Sequence, residues 1–334
     1  MSSEQSPPPR EMRPTRGLRL GYALSSEEHP PLDLVRNARR AEEVGFEFAL
    51  ISDHFHPWLD SQGQSPVVWS VLGAIAREPE RLEVGTGVTC PLIRMHPAIV
   101  AHAAATTAAM FEGRFFLGVG TGENLNEHIL GDGWPAYRVR REMLEEAVEL
   151  MREMWQGGIQ SHYGSHYVVE NAQLYTLPAE PMRVMLAASG GESAELAGRI
   201  GDGFIGVAPK AELVETFRGA GGGDKPRIGQ VTVCWAPTEE QARRTAKEVW
   251  ANAGVPGELS QELPLPRHFA QAADLVTPEM LGETLPCGPD VERHLQSIQA
   301  YADAGYDWVY VHQIGPDQEG FFRFYHDEVL PRLK

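Results

Sequence analysis

Short runs rich in β-branched and aromatic residues alternate with longer helical runs along most of this chain, and that alternation leaves few folds open. The predicted strands cover residues 18–24, 46–52, 81–89, 114–120, 184–188, 203–207, 227–235 and 308–313. The predicted helices cover 32–44, 67–77, 97–110, 137–155, 193–200, 211–218, 239–253, 290–304 and 321–333. Strand followed by helix, repeated, demands parallel strands joined by crossovers. Eight such units with insertions point to the α/β class and a TIM-type (β/α)8 barrel, one domain over residues 18–334. The Ser/Pro/Arg-rich stretch at 1–17 reads as a flexible tail without the apolar core of a signal peptide. A doubly wound open sheet is the alternative, but no GxGxxG opens a helix after the first strand.

Three stretches depart from the alternation. Gln160 to Val169 reads as a hairpin turning at Gly164-Ser165, and Gly219 to Lys225 as a flexible loop. Residues 254–289 are Pro-rich and give no assignment beyond a short helix near 269–275. The clearest helix is 137–155, where Leu144, Val148, Met151 and Trp155 form an apolar stripe suited to core packing.

The balance of 29 basic against 46 acidic residues gives a formal net charge of −17. Such a surface repels nucleic acid and anionic lipid, so the expected partner is a small molecule. Any anionic ligand must be held locally, by amides, helix N-termini or a few placed cations. Cys90, Cys234 and Cys287 are odd in number and lack CxxC spacing, which argues against a disulfide framework or zinc knuckle and for a cytoplasmic protein. No apolar run approaches the roughly 18 residues of a membrane helix.

In such a barrel the chemistry sits at the C-terminal ends of the strands. After the second strand stands Ser52-Asp-His-Phe-His-Pro-Trp58, which puts Asp53 and His54 at the barrel mouth, although Asp53 can equally serve as a cap. His54 and His56 also match the HxH of metal-dependent hydrolases, a weak pattern because Pro57 marks the strand as ended; no metal site is expected. After the third strand, Gly85-Thr-Gly-Val-Thr-Cys-Pro91 allows close approach of a flat ligand. After the fourth, glycines 118, 120 and 122 leave a surface with little side chain, flanked by Glu123 and Asn126. After the fifth, Ser189-Gly190-Gly191 leads into a helix whose free amides suit a phosphate. Lys210 follows the sixth strand and could meet an anion.

Taken together and in order, three segments are specific: Ser52 to Trp58, Phe116-Leu-Gly-Val-Gly-Thr-Gly-Glu-Asn-Leu-Asn-Glu127, and Ala197-Gly-Arg-Ile-Gly-Asp-Gly-Phe204. With them the chain, from Leu18 to Leu333, resembles the luciferase-like F420-dependent oxidoreductases, most of all the branch of F420-dependent glucose-6-phosphate dehydrogenases and their relatives. The resemblance implies the deazaflavin coenzyme F420 as cofactor and a homodimer as the assembly. It implies contact of Asp53 with the cofactor, His54 as general base on a substrate hydroxyl, Trp58 lining the reaction site, and Glu123 managing a proton near the ring. It implies a non-prolyl cis peptide at Gly87-Val88, and ring or phosphate contacts from Thr121, Gly122, Asn126, Ser189, Gly190 and Gly191. Cys90 stands where the family carries a threonine at the cofactor.

One departure bears on the substrate. Of the cations that grip the sugar phosphate in that branch, only Lys210 has a match, with Ser260 and Thr284 near the other two and Arg267 and His268 close by. The expected reaction is therefore reversible hydride transfer between the carbinol carbon of an uncharged alcohol, sugar or ketone and the deazaflavin, ahead of a sugar-6-phosphate. An FMN-dependent monooxygenase on the same fold, a zinc hydrolase and a non-catalytic cofactor-binding protein are the rivals.

Overall fold

The computed structural model describes residues 17–255 and 257–333, so the predicted tail lies outside the described residues except for Gly17. Strands β1 (Arg19–Leu24), β2 (Phe48–Ile51), β3 (Glu83–Thr86) and β4 (Phe115–Val119) alternate with helices α1 (Pro31–Val44), α2 (Val68–Ile75) and α3 (Pro97–Phe111). A short α4 (Asn124–Glu127), the long α5 (Tyr137–Trp155) and the hairpin β5 (Gln160–Tyr163) and β6 (Val168–Ala172) follow. Then come β7 (Val184–Ala187), α6 (Gly191–Ile200), β8 (Gly203–Gly206), α7 (Ala211–Phe217), β9 (Arg227–Val233) and α8 (Glu239–Trp250). The chain ends with α9 (Leu259–Glu262), α10 (Pro266–Ala273), α11 (Pro278–Thr284), α12 (Val291–Ala304), β10 (Trp308–Gln313), α13 (Gln318–Phe324) and α14 (Leu330–Leu333).

Eight strands close a parallel barrel in the order β1-β10-β9-β8-β7-β4-β3-β2, and β5 and β6 stand apart as a two-stranded sheet. The expected (β/α)8 barrel is what forms. Its axis is filled by Phe48, Leu50, Phe116, Met185, Ile205, Ile228, Trp308 and Tyr310. Room for the aromatic layer comes from Gly21, where an added Cβ would meet the Phe48 ring at 2.6 Å, and from Gly85, where it would meet Phe116. Burying each such ring contributes roughly 1.5–3 kcal/mol. The N-terminal end is shut by Arg19, which lies 4.0 Å over Trp308 and pairs with Glu47 and Glu83. With the lower half plugged, the barrel axis opens at its upper mouth.

Local signals explain the helix bounds. Pro31 opens α1, Leu34, Ala38 and Ala41 form its buried face, and Gly45 at φ 107° ends it. Helix α5 has the predicted bounds, and its Glu146 carboxylate accepts from the amides of Ser165, His166 and Tyr167. That contact pins the hairpin, which turns at the predicted place.

Three sequence expectations are corrected. The predicted loop 219–225 begins as a π-type turn, Arg218–Gly222, because Gly221 takes φ 109° and lets the chain coil on after α7. The single helix predicted for 321–333 is α13 and α14 joined by a π-type turn, Tyr325–Val329. The unassigned stretch 254–289 holds three short helices, of which α10 and α11 each start with a proline at the first turn.

Candidate active site

All eight barrel strands point their C-terminal ends at one cavity of about 360 Å³. That is within the size range of small-molecule and cofactor sites. Of the residues singled out in the sequence, His54, Trp58, Gly87, Val88, Thr121, Gly122, Glu123 and Ser189 line it.

One wall is backbone. Gly87 and Val88 after β3 are joined by a cis peptide, as the resemblance implies. Gly120 and Gly122 after β4 continue this wall, and an added Cβ at Gly120 would meet Val88 Cγ2 at 2.8 Å. At Gly122 the backbone is left-handed (φ 75°) and a Cβ would meet Cys90 Sγ at 2.6 Å. Cys90 therefore lies behind the wall. Ala187, Ala188 and Ser189 extend the same surface to the start of α6. Gly190 and Gly191 open that helix and stand just beyond the lining, where an added Cβ would meet nothing within 4 Å.

The facing wall carries an imidazole. His54 Nε2 lies 3.3 Å from Glu27 Oε1, with both side chains at or below 10 % exposure. Its Nδ1 lies 3.2 Å from Asn126 Nδ2 and 3.2 Å from the His56 carbonyl oxygen. Asn126 Oδ1 accepts from the Phe55 and His56 amides at 2.9 and 3.1 Å, which fixes the amide and makes Nδ2 the donor. The Asn126 donor and the Glu27 carboxylate together favour the tautomer in which Nδ1 accepts and Nε2–H donates to Glu27, against the His56 carbonyl. The second Nδ2 hydrogen reaches Glu123 Oε2 at 3.3 Å, so one buried asparagine ties the imidazole to the carboxylate across the cavity. Burial acts to raise the Glu27 pKa, but the His54 ring and the Ser52 hydroxyl outweigh it and hold the carboxyl below its usual range. Ser52 and Ser25 donate to Glu27 Oε2 at 2.6 and 3.1 Å. The Trp58 ring stands 5.0 Å from the His54 ring.

Two expected contacts lie elsewhere. Asp53 is buried outside the cavity wall, because Thr89 Oγ1 at 2.8 Å and Arg94 at 3.0 Å take up its carboxylate. Arg94 also binds Glu127, 3.4 Å away. Lys210 is exposed at the head of α7 and does not line the cavity. His56 turns its Nδ1 to the Leu125 carbonyl at 2.9 Å, and no three His, Cys, Asp or Glu side chains converge to hold a metal among the described residues.

Several lining residues had no role assigned from the sequence: Glu27 and Ser52, and on the third side Gln230, Trp250, Tyr310 and His312. The signal was present. Leu24 ends the first strand and Ser-Ser-Glu-Glu-His follows, while His312 sits near the end of the last, so the strand-end rule covered both.

The sequence profile of the luciferase-like monooxygenases matches residues 18–307. An F420-dependent glucose-6-phosphate dehydrogenase of Nakamurella multipartita is 34% identical over 95% of this chain and 97% of its own. An F420-dependent hydroxymycolic acid dehydrogenase of Mycobacterium tuberculosis is 36% identical over 100% of this chain and 92% of its own. Among solved structures, an F420-dependent secondary alcohol dehydrogenase in complex with an F420-acetone adduct superposes with a TM-score of 0.87 at 29% identity, covering 95% of this chain and 99% of that one. A closed parallel barrel, an active mouth at its strand ends and a profile match along nearly all of it agree: the chain belongs to the luciferase-like monooxygenase family.

Proposed function

We propose that this chain is an F420-dependent oxidoreductase that moves hydride reversibly between the carbinol carbon of an uncharged alcohol, sugar or ketone and the deazaflavin. The observation that carries this is the Glu27–His54 pair facing a glycine-walled surface inside one cavity. F420-dependent dehydrogenases at 34% and 36% identity over nearly the full length support it.

The residues present fit the cofactor. A wall of Gly87, Val88, Gly120, Thr121 and Gly122 suits a flat ring, and the open backbone at Gly190 and Gly191 leaves space for a phosphate at the first turn of α6, whose amides lack intrahelical acceptors. Ser189 would bind beside them. Asp53, through Thr89, and Cys90, from beneath Gly122, would hold this wall from behind. When bound, the deazaflavin supplies the carbon that accepts or donates hydride.

The chain's own residues handle the proton. With Nε2–H held on Glu27, the ring's basic atom is Nδ1, so a substrate hydroxyl would give its proton to Nδ1, and the pair that starts with one negative charge ends neutral, with no net charge created in a buried place. Asn126 fixes the ring plane, and Trp58 covers it against water. Glu123, on the cofactor side, would hold or release the proton that follows the hydride. No Lys or Arg lines the cavity among the described residues, which favours an uncharged substrate over a sugar phosphate. Ser260 lines it in place of a cation, while Thr284 caps the end of α11 and Arg267 is exposed.

A homodimer working in the cytoplasm belongs to the same proposal. The exposed apolar side chains Ile159, Tyr163, Val168 and Tyr175 around the hairpin support a second copy, and the free cysteines suit a reducing compartment. Sedimentation would report the assembly. The test of function is a panel of alcohols, sugars and sugar phosphates read by loss of the oxidised deazaflavin's visible absorbance. Reduction by uncharged alcohols is expected; binding of FMN with no affinity for the deazaflavin would reject the proposal.

A further inference from the structure

Strand β1 lies between β2 and β10, and the two consecutive glutamates after it reach opposite neighbours. Glu27 pairs with His54 beyond β2, and Glu28 pairs with His312 on β10, each at 3.3 Å. Each imidazole has an indole beside it, Trp58 at 5.0 Å from His54 and Trp250 at 4.5 Å from His312. Both histidines and both tryptophans line one cavity. Hydride and proton transfer occupy the first set. The second set has no task in that reaction.

The second set is built with equal care. Glu28 and His312 side chains are 5 % and 4 % exposed, and Gly315 N–H donates to Glu28 Oε1 at 2.8 Å. A buried carboxylate–imidazole contact of this kind adds little net stability, because desolvation offsets its attraction. Along β9, Gln230 accepts from the Tyr310 hydroxyl at 2.7 Å and places its Nε2 3.5 Å from His312 Nδ1 and 3.3 Å from Thr232 Oγ1. Both Nε2 contacts are long, so a ligand oxygen can displace either of them at low cost, and Gln230, Tyr310 and His312 all line the cavity. A donor–acceptor patch beside an indole face is a place for a hydroxyl or carbonyl oxygen on an apolar frame.

We infer that Gln230, Tyr310 and His312, backed by Glu28, form a second oxygen-binding subsite, and that the substrate is an uncharged molecule with two oxygen functions. One oxygen meets His54 and reacts; the other is held at His312. This rests on the proposed function, which makes the His54 end the reacting one. Strands β2 and β10 are two strand spacings apart, about 10 Å, so the two oxygens are separated by a ring or several carbons rather than sitting on neighbouring atoms.

The test compares cyclohexanol with trans-cyclohexane-1,4-diol in the wild type and in Gln230→Leu, which leaves the Glu28–His312 pair intact. The kcat/KM for the diol should exceed that for cyclohexanol by about tenfold or more, and the ratio should fall toward one in the variant, chiefly through KM. A ratio near one in the wild type, or one unmoved by the substitution, overturns the subsite. Binding is read separately, by the diol's effect on tryptophan fluorescence in protein without cofactor, with the effect expected to weaken in Gln230→Leu. If neither alcohol reduces the deazaflavin while the diol still perturbs fluorescence in the wild type and not in the variant, the reaction is wrong and the subsite stands. If no fluorescence change separates the two proteins, the subsite falls.

Discussion

Replacing Glu27 by Gln keeps the shape of the carboxylate and removes its charge. In the wild type the proton taken by His54 turns a pair of charge −1 into a neutral one; in Glu27→Gln it turns a neutral pair into a buried cation. The lost attraction across 3.3 Å is about 5 kcal/mol at an effective dielectric of ~20. If about half of the proton has moved in the transition state, as general-base catalysis commonly has it, the barrier rises by about 2.5 kcal/mol, or roughly 50- to 100-fold in kcat. His54→Ala should cost about 100-fold or more. Because Glu27 acts through the ring, the double variant should be no slower than His54→Ala alone. The assay is the initial rate of deazaflavin reduction at saturating alcohol, with cofactor affinity measured beside it to show that the wall of glycines is undisturbed. A Glu27→Gln enzyme within threefold of wild type, or a double variant whose losses multiply, would refute the charge-compensation account.

Arg94→Met leaves the buried Asp53 and Glu127 carboxylates without their shared cation; a loss of about 3–5 kcal/mol should lower Tm by about 4–7 °C, and a drop under about 2 °C would show that the cation is dispensable. His294 is buried between the Tyr325 hydroxyl and the Gly288 carbonyl, and burial pushes its pKa from 6.5 down to about 4. Its folded pKa is depressed, so its stability contribution is whole above pH 6.5 and is lost as pH falls toward 4, about 3 kcal/mol in all; melting curves across that window should slope less in His294→Gln, and equal slopes would count against the assignment. Gly190→Val adds a side chain where nothing stands within 4 Å, so Tm should hold within about 2 °C while deazaflavin affinity falls about tenfold or more, the cost of a lost charge-assisted contact. Unchanged affinity in a fluorescence titration would move the phosphate away from α6.

The sequence made the barrel legible because each unit declares itself locally. Helix 137–155 and strand 308–313 have the same bounds in sequence and structure, since one carries a long apolar stripe and the other a continuous β-rich run. Residues 254–289 were opaque because their three helices are 4, 8 and 7 residues long and are fixed by tertiary contacts such as Phe269 against Trp58, 5.1 Å away. The site divides the same way. Glycines and a histidine at strand ends stand out in one dimension. The partner of His312 lies 284 residues away and that of Asp53 41 residues away, and nothing near either residue announces the pairing. Arg94 claimed Asp53, so a residue expected to face the cavity became part of its frame.

The family takes its name from monooxygenases, whereas the proposed chemistry of this chain is hydride transfer, and the barrel does not decide between them because folds host many reactions. The side chains bear on the choice. An enzyme that activates oxygen on its cofactor has no general need to take a proton from a substrate hydroxyl, but alcohol oxidation cannot proceed without somewhere for that proton to go. Glu27 is nearly inaccessible, accepts two hydroxyl hydrogen bonds, and is kept ionised below the ordinary carboxylate range against a burial effect that opposes it. A buried carboxylate behind an imidazole stabilises the ring when it gains a proton. On the proposed function, the Glu27–His54 pair serves the removal and return of a proton at a carbinol oxygen, while the deazaflavin needs a flat wall, a place for its phosphate and, at Glu123, a carboxyl for the proton that follows the hydride.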